Sequence, residues 1–455
     1  MIISPPKPLK QHIIKAAIWI FGGHASSHVI RLMNNLILTR LLVPEMFGLM
    51  SMVTVIIVGL ALFSDLGLNQ NIIQSKNGRD ERFLNTIWSI QIIKGFSLWG
   101  LSVLIAVGVF IAQSVFWMPA STVYAEPLLP YIIPISTLGM IIGAFEPTWT
   151  TLASRDLQQA RLVKIELICQ IIGVIAMVSM ALYTRSIWAL VLGSLISGIS
   201  RSIIVNFIIK EKRNRFEIDK AYINEIFHFG KWILLSSIIG FLAMNGDKLL
   251  LGGLISTKDL GVYNIAAFMF SAVATIISRL LVGVAYPVLS ETVRDRPYDL
   301  HRIYYRFRLL FDVGIMFLAG FLFVSGQTII HLLYDSRYQN AGWMLNVLAL
   351  SLIALRYNLA DESYLALGKP KLMTLLTLTR SVALFVFLPI AYNQFGLHGA
   401  IWAIVMSYYS SIPLAIYYKK THHLLNIKKE LITLPIIFVG MICGFIFNKI
   451  VQIMF

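Results

Sequence analysis

Charge is what this chain lacks most. Asp, Glu, Lys and Arg make up 13% of its 455 residues, against 57% hydrophobic residues and a mean hydropathy of +0.76. An ordinary soluble domain carries about a quarter charged residues, so that class is excluded. Acids are scarcer than bases, 22 Asp and Glu against 38 Lys and Arg. Only two cysteines occur, Cys169 and Cys443, both inside apolar stretches. They provide neither a disulfide framework nor the spacing of a metal knuckle. Long polar loops are missing as well. The largest expected on one side of the sequence, residues 113–127, offers a single carboxylate, Glu126.

What fills the chain instead is a series of about thirteen apolar runs, each near the ~20 residues needed to cross a ~30 Å hydrocarbon layer. They lie at 14–40, 47–69, 84–112, 128–152, 163–183, 187–209, 232–255, 261–290, 309–331, 343–367, 372–393, 398–418 and 431–448. With the N-terminus placed in the cytoplasm, the inner segments collect about 26 Lys and Arg, while the outer ones hold only Arg40, Arg185, Lys258, Arg337 and Lys449. So strong a bias in short loops orients the chain N-terminus inside. The net charge of +16 is thereby explained by topology and anionic headgroups, and no soluble basic module for nucleic acid is present. The N-terminus (Lys7, Lys10, Lys15, then apolar residues) resembles a secretory signal, but the stretch continues through His24, His28 and Arg31 to Leu42 without a small-residue cleavage site. A retained first helix is expected. Phe216–Phe229 and Tyr298–Phe311 mix aromatic, aliphatic and charged residues, as interfacial amphipathic helices do.

The chain also reads as a duplication. Phe21-Gly22 opens the first run and Phe229-Gly230 the seventh; Asn34-Asn35-Leu36-Ile37-Leu38 parallels Asp247-Lys248-Leu249-Leu250-Leu251; Phe47-Gly48-Leu49 parallels Leu260-Gly261-Val262. Six helices per half is an even number, so the repeats would be parallel, the arrangement of two bundles rocking about a shared site. The expected fold is an all-α polytopic membrane protein of two parallel six-helix bundles plus one extra C-terminal hydrophobic segment. Its divisions are a first lobe at 1–210, a basic linker at 211–231, a second lobe at 232–418, and a basic loop with a transmembrane or re-entrant segment at 419–455.

Seven cations fall inside the runs: Arg31, Lys94, Arg201, Lys248, Arg279, Arg356 and Arg380. Seven acids (Asp65, Glu146, Glu166, Asp247, Asp312, Asp361 and Glu362) sit inside or near run ends. Each charge at mid-membrane costs ~2.5–3.5 kcal/mol on insertion scales, so these side chains belong to a bundle interior or a watery cavity. The acids lie mostly toward the inner ends, which leaves the middle positive. A positive chamber suits an anionic ligand, above all phosphate, which the planar guanidinium binds through two oxygens. The alternative is structural pairing, as Lys248 with Asp247 or Arg356 with Asp361. On the first helix His24, His28 and Arg31 share a face with Ser27, Asn34 and Asn35. Two His at i, i+4 can hold a metal, but the Glu of a HExxH arrangement is absent, and a cavity-lining face or helix–helix hydrogen bonding is expected instead.

Several stretches together resemble the polysaccharide-transporter branch of the multidrug/oligosaccharidyl-lipid/polysaccharide exporter superfamily. They are Leu41-Leu42-Val43-Pro44-Glu45-Met46-Phe47-Gly48, Phe63-Ser64-Asp65-Leu66-Gly67-Leu68, Ala153-Ser154-Arg155-Asp156, Gly246-Asp247-Lys248, Leu260-Gly261-Val262-Tyr263, Tyr286-Pro287-Val288-Leu289-Ser290 and Ala366-Leu367-Gly368-Lys369-Pro370. The resemblance runs over nearly the whole chain and implies a MATE-like two-lobed bundle. It also implies a flippase, not an enzyme, for undecaprenyl-pyrophosphate-linked oligosaccharide in the bacterial inner membrane. Many relatives look fourteen-helical, whereas this chain ends after one further run. Expected ligand-binding residues are Arg31, Lys248, Arg279 and Arg356, with Lys94, Arg201, Arg380, His28 and Asn35 around them. Asp65 and Asp247 are candidates for coupling to a proton or sodium gradient or to the membrane potential, and no cofactor is expected. Other expected partners are membrane lipids and further polysaccharide assembly proteins. Two other functions fit the same sequence: a multidrug or small-molecule exporter of that superfamily, and a membrane glycosyltransferase or glycan polymerase. The second has only Glu126 and Asp335 as carboxylates on the larger outer loops.

Overall fold

The structure, a computed structural model, describes residues 9–115, 122–156, 158–208 and 213–454. Nearly all of them are helical. In chain order the helices are α1 (Leu9–Leu41), α2 (Pro44–Leu62), α3 (Leu68–Gln74), α4 (Glu81–Val115), α5 (Leu129–Ala144), α6 (Trp149–Arg155), α7 (Gln159–Thr184), α8 (Trp188–Ile203), α9 (Lys220–Gly252) and α10 (Thr257–Leu280). There follow α11 (Tyr286–Asp295), α12 (Leu300–Leu333), α13 (Ala341–Ala349), α14 (Ser351–Leu355), α15 (Asn358–Ala366), α16 (Pro370–Ser410), α17 (Ile412–Thr421), α18 (Ile427–Leu431) and α19 (Ile436–Met454). Local chemistry sets several ends. Pro44 occupies the first turn of α2 after extended Val43, where its missing N–H costs nothing. Ser256 caps α10 by accepting the Asp259 N–H at 3.0 Å.

Among the described residues nine helical segments are long and apolar enough to cross a membrane, or ten if the bent pair α5–α6 forms one span. The difference from about thirteen expected runs has clear causes. Runs 14–40 and 232–255 lie on α1 and α9, each 33 residues long, which are not among the nine counted over the described residues. Runs 372–393 and 398–418 meet inside α16, where Gly396 (φ 60°, ψ −146°) breaks the helix with a backbone that only glycine adopts readily. Run 128–152 is bent by 69° between α5 and α6. The last run is a single helix, α19, of 19 residues. At helical rise it extends about 28 Å, the form of a span and not of a re-entrant hairpin.

The apolar exteriors fit lipid as solvent: Leu104, Ile175, Phe438 and Ile453 are more than half exposed, while Ser89, Ser102, Thr137 and Ser325 are fully buried. Polar groups inside tie helices together, as Ser102 and Thr137 do across α4 and α5 at 2.6 Å.

The chain divides into two compact units, Met1–Ala120 with Tyr124–Phe241 and Ser121–Val123 with Leu242–Phe455. The boundary falls within α9, beyond the linker expected at 211–231. The reason is local packing: Ile226 lies in a core with Leu68, Ile72, Phe83 and Ile87, and Tyr222 packs edge-on against Phe83. Of the expected interfacial helix Phe216–Phe229, the residues from Lys220 on are helical and open α9. Residues 213–219 run extended along α4, their N–H groups taken by side chains: Arg215 N–H by Asn85 at 3.0 Å, Glu217 N–H by Ser89 at 2.9 Å and Asp219 N–H by Thr86 at 3.1 Å. With those donors satisfied, the segment has no need of helical bonds. Tyr298–Phe311 instead enters the 34-residue helix α12.

Candidate ligand cavity and buried ionic cluster

The first unit holds an open cavity of about 670 Å³. Its charged lining comes from four helices and two breaks between helices: Lys94 on α4, Glu166 on α7, Arg201 on α8, His24 on α1, Asp65 after α2, and Glu146 between α5 and α6. Asp65 is fixed by the turn it makes. Its Oδ1 accepts the Gly67 N–H at 2.9 Å and its Oδ2 the Ser237 hydroxyl at 3.4 Å. Arg201 forks onto Glu146, Nη2 to Oε1 at 2.7 Å and Nε to Oε2 at 3.1 Å. The break carrying Glu146 is where Pro147 ends helical bonding, and Gln91 reaches the carbonyls there, of which that of Gly143 also accepts the Glu146 N–H at 3.1 Å. The Gln91 side-chain N–H₂ faces the oxygens of Gly143, Ala144 and Glu146, each at 3.2 Å.

The second unit buries a different arrangement. Asp312 on α12 accepts from Arg356 Nη2 at 2.5 Å and from Thr433 Oγ1 at 3.0 Å, with Arg308 Nε at 3.0 Å. Glu430 on α18 accepts from Arg308 Nη2 at 2.6 Å, from Tyr305 at 3.0 Å and from Lys419. Arg308 also donates to the Arg356 carbonyl at 2.5 Å. Three cations and two carboxylates are thereby sealed away, none more than 8% exposed. Tyr304 and Tyr357 lie over the cations. Residues 426–433 are bolted in this way to α12, to the α14–α15 junction and to α17.

Of the residues singled out in sequence, Lys94, Arg201 and Asp65 line one cavity. Arg31 is exposed on α1, with His28 and Asn35 half-buried on the same helix. That helix's polar face splits its tasks. His24 faces the cavity, while Ser27 bonds Gln170 of α7 at 2.8 Å and Asn34 meets Met177 at 3.7 Å. In the second unit Lys248 and Arg279 are half-buried, and Asp247 accepts the Tyr263 hydroxyl. The pairing of Arg356 with Asp361 is corrected: Arg356 binds Asp312, and Asp361 sits 4.0 Å from Arg380. Arg380 also donates to Ser411 at 2.8 Å and Asn358 at 3.2 Å. Arg356 and Arg380 thus belong to separate networks. The cavity wall is also less positive than the deep charges suggested, two cations facing three carboxylates.

Sequence inspection passed over Gln91, Arg308, Lys419 and Glu430. The last three fell into segments counted as inner loops. Glu430, a lone acid directly after Lys428-Lys429 and before an apolar run, was the available signal. Among the described residues no cluster of three or more His, Cys, Asp or Glu could hold a metal ion.

Comparisons place these features. The profile of a family described as polysaccharide biosynthesis protein matches residues 37–342. An uncharacterized membrane protein in the cps region of Klebsiella pneumoniae is 22% identical over 87% of this chain and 79% of its own length. The lipopolysaccharide biosynthesis protein WzxC of Escherichia coli (strain K12) is 23% identical over 70% of this chain, which spans 63% of that protein. In structure the chain is similar to the lipid II flippase MurJ in an inward closed conformation. The TM-score is 0.71 at 16% identity, over 96% of this chain and 92% of that one. An inward-facing multidrug resistance MATE transporter follows at TM-score 0.61 and 13% identity, over 94% and 95%. The fold is therefore that of these transporters, and the chain belongs to the family of polysaccharide biosynthesis proteins.

Proposed function

We propose that the chain is a flippase, without covalent catalysis, that moves undecaprenyl-pyrophosphate-linked oligosaccharide units across the bacterial inner membrane by alternating access. The products would feed O-antigen, capsule or exopolysaccharide assembly. One observation carries most of the weight: a polar cavity with Lys94 and Arg201 in its wall lies inside a bundle whose exterior is apolar. Such cations are costly in lipid and rare there, and facing a polar cavity marks them as part of a ligand or ion path. Family membership and the printed names of the relatives support the glycan, with TuaB of Bacillus subtilis (strain 168) called a teichuronic acid biosynthesis protein. The charge bias supports a cytoplasmic N-terminus, and Asp65 and Asp247 remain candidates for ion coupling.

Deleting the gene should abolish one surface glycan and leave its lipid-linked unit on the cytoplasmic side. Lys94→Ala should lower surface glycan about ten- to hundred-fold at unchanged protein level, the loss expected for one charge-assisted hydrogen bond. Wild-type glycan output from that variant would remove Lys94 from the ligand path.

The three carboxylates in the cavity favour one second reading, an exporter of small cationic molecules on the same fold. A deletion strain that gains drug sensitivity while its surface glycans stay intact would establish it.

A further inference from the structure

The ion pair between Arg201 and Glu146 differs in kind from the sealed cluster of the second unit. Its side chains are 36% and 25% exposed and line the cavity, whereas Arg308 and Asp312 are 1% and 0% exposed. A pair open to water is held weakly and can exchange partners. The geometry of the fork is also informative. A guanidinium presenting Nε and Nη2 to two carboxylate oxygens presents the same edge to two phosphate oxygens.

Glu146 stands at a break in helical bonding, whose neighbours Phe145 and Thr148 are held by the side chains of Asn206 at 3.2 Å and Asn214 at 2.9 Å. It lies in the four-residue break of a span bent by 69°. One amide, that of Gln91, is shared among three carbonyls at the end of α5, so none of them has a bond of its own from that group. The next helix, α6, is short and joined at its far end to the 72–79 turn. Arg155 donates to the Ile72 carbonyl at 2.5 Å, and Asp156 pairs with Arg79 at 2.6 Å. A shift of α6 would pull on the 72–79 turn.

We propose that the Glu146 carboxylate is a resident stand-in for the ligand's anion on Arg201. A pyrophosphate-type group arriving in the cavity displaces it and frees the α5–α6 hinge. The proposal rests on the flippase reading for the source of the anion. The ligand then supplies differential binding between two states of the hinge, as a population shift requires. The cavity's near-neutral charge follows from the same device. With the anion absent, Arg201 is neutralised from within the protein.

The test uses the purified full chain in detergent with two probes, inorganic pyrophosphate and farnesyl pyrophosphate, titrated by calorimetry and followed by amide hydrogen exchange over residues 143–156. Glu146→Gln should bind farnesyl pyrophosphate about ten-fold tighter than the wild type does. It should also show, without ligand, the faster exchange that wild type shows only with ligand. Tighter binding of farnesyl pyrophosphate than of inorganic pyrophosphate identifies a lipid-borne group as the source; the reverse identifies a free anion. Unchanged or weaker binding by Glu146→Gln overturns the proposal. So does wild-type exchange that does not respond to either probe, a measurement that needs no variant to fold. If a deletion strain still loses its glycan while these results are negative, only the displacement by Glu146 falls and the flippase reading stands.

Discussion

Replacing Glu430 with Ala is expected to destabilise the second unit by about 3–5 kcal/mol, the cost of stripping one partner from a buried ion cluster. Glu430 accepts from Arg308, Tyr305 and Lys419, and its loss leaves three cations with Asp312 alone among residues at most 3% exposed. The desolvation of those cations is already incurred in the fold, so nothing offsets it once the carboxylate is gone. The prediction is directional in a second way. The double variant Lys419→Met with Glu430→Met removes one charge of each sign and fills the space with apolar atoms. It should recover more than half of the single variant's loss, because exchanging a buried pair for packed hydrophobic residues is often neutral. Thermal unfolding of the purified protein in detergent reads both. A single variant with an unshifted midpoint would show that Glu430 offsets no buried charge, and a double variant as unstable as the single would show that apolar packing does not replace the pair.

What the sequence made legible follows from which signals are local. Apolar length and charge bias act along the chain, so the spans at 84–112 and 163–183 reappear as α4 and α7 with ends shifted by a few residues. Glycine and proline act locally too, yet the break at Pro147 inside the run read as 128–152 went unread, and Gly396 was not singled out in the gap between the runs 372–393 and 398–418. Partner choice acts across space, and there sequence proximity misled. Asp361, five residues from Arg356, looked like its partner, yet the guanidinium reaches Asp312, 44 residues away on a neighbouring helix. Likewise Glu146 and Arg201 were both recognised as intramembrane charges, but nothing in their 55-residue separation said that they meet. The helix expected over Phe216–Phe229 begins only at Lys220 for a related reason: the side chains of α4 that claim the backbone of Arg215, Glu217 and Asp219 lie more than a hundred residues upstream.

The last helix offers the second large effect, and it tests how the chain's end is held. Gly320 on α12 faces the Ile437 carbonyl, and Gly440 on α19 faces the Phe317 carbonyl, each closer than any Cβ could tolerate. Gly444 follows one turn later against Phe321, so the Gly440-Met441-Ile442-Cys443-Gly444 stretch lays backbone on backbone. Asn448 extends the contact by donating to the Val324 carbonyl at 3.0 Å. In lipid no hydrophobic effect draws two helices together, so this close packing is the main attraction available. Gly440→Val should force the helices apart and cost at least the upper end of about 1–3 kcal/mol for overpacking, since the obstructing atom is a main-chain oxygen that no rotamer change can move. Gly444→Ala should be milder, its added methyl meeting Phe321 oxygen at 2.9 Å and Val324 Cβ at 3.1 Å. Gly314→Ala, on the same α12 with nothing within 4 Å, is the control and should leave stability unchanged or slightly raised. Heating the three variants in detergent and measuring the monodisperse fraction should rank them in that order. If Gly440→Val survives as well as Gly314→Ala, α19 is not seated on α12 through these glycines, and the span is held by the ionic strap at 426–433 alone.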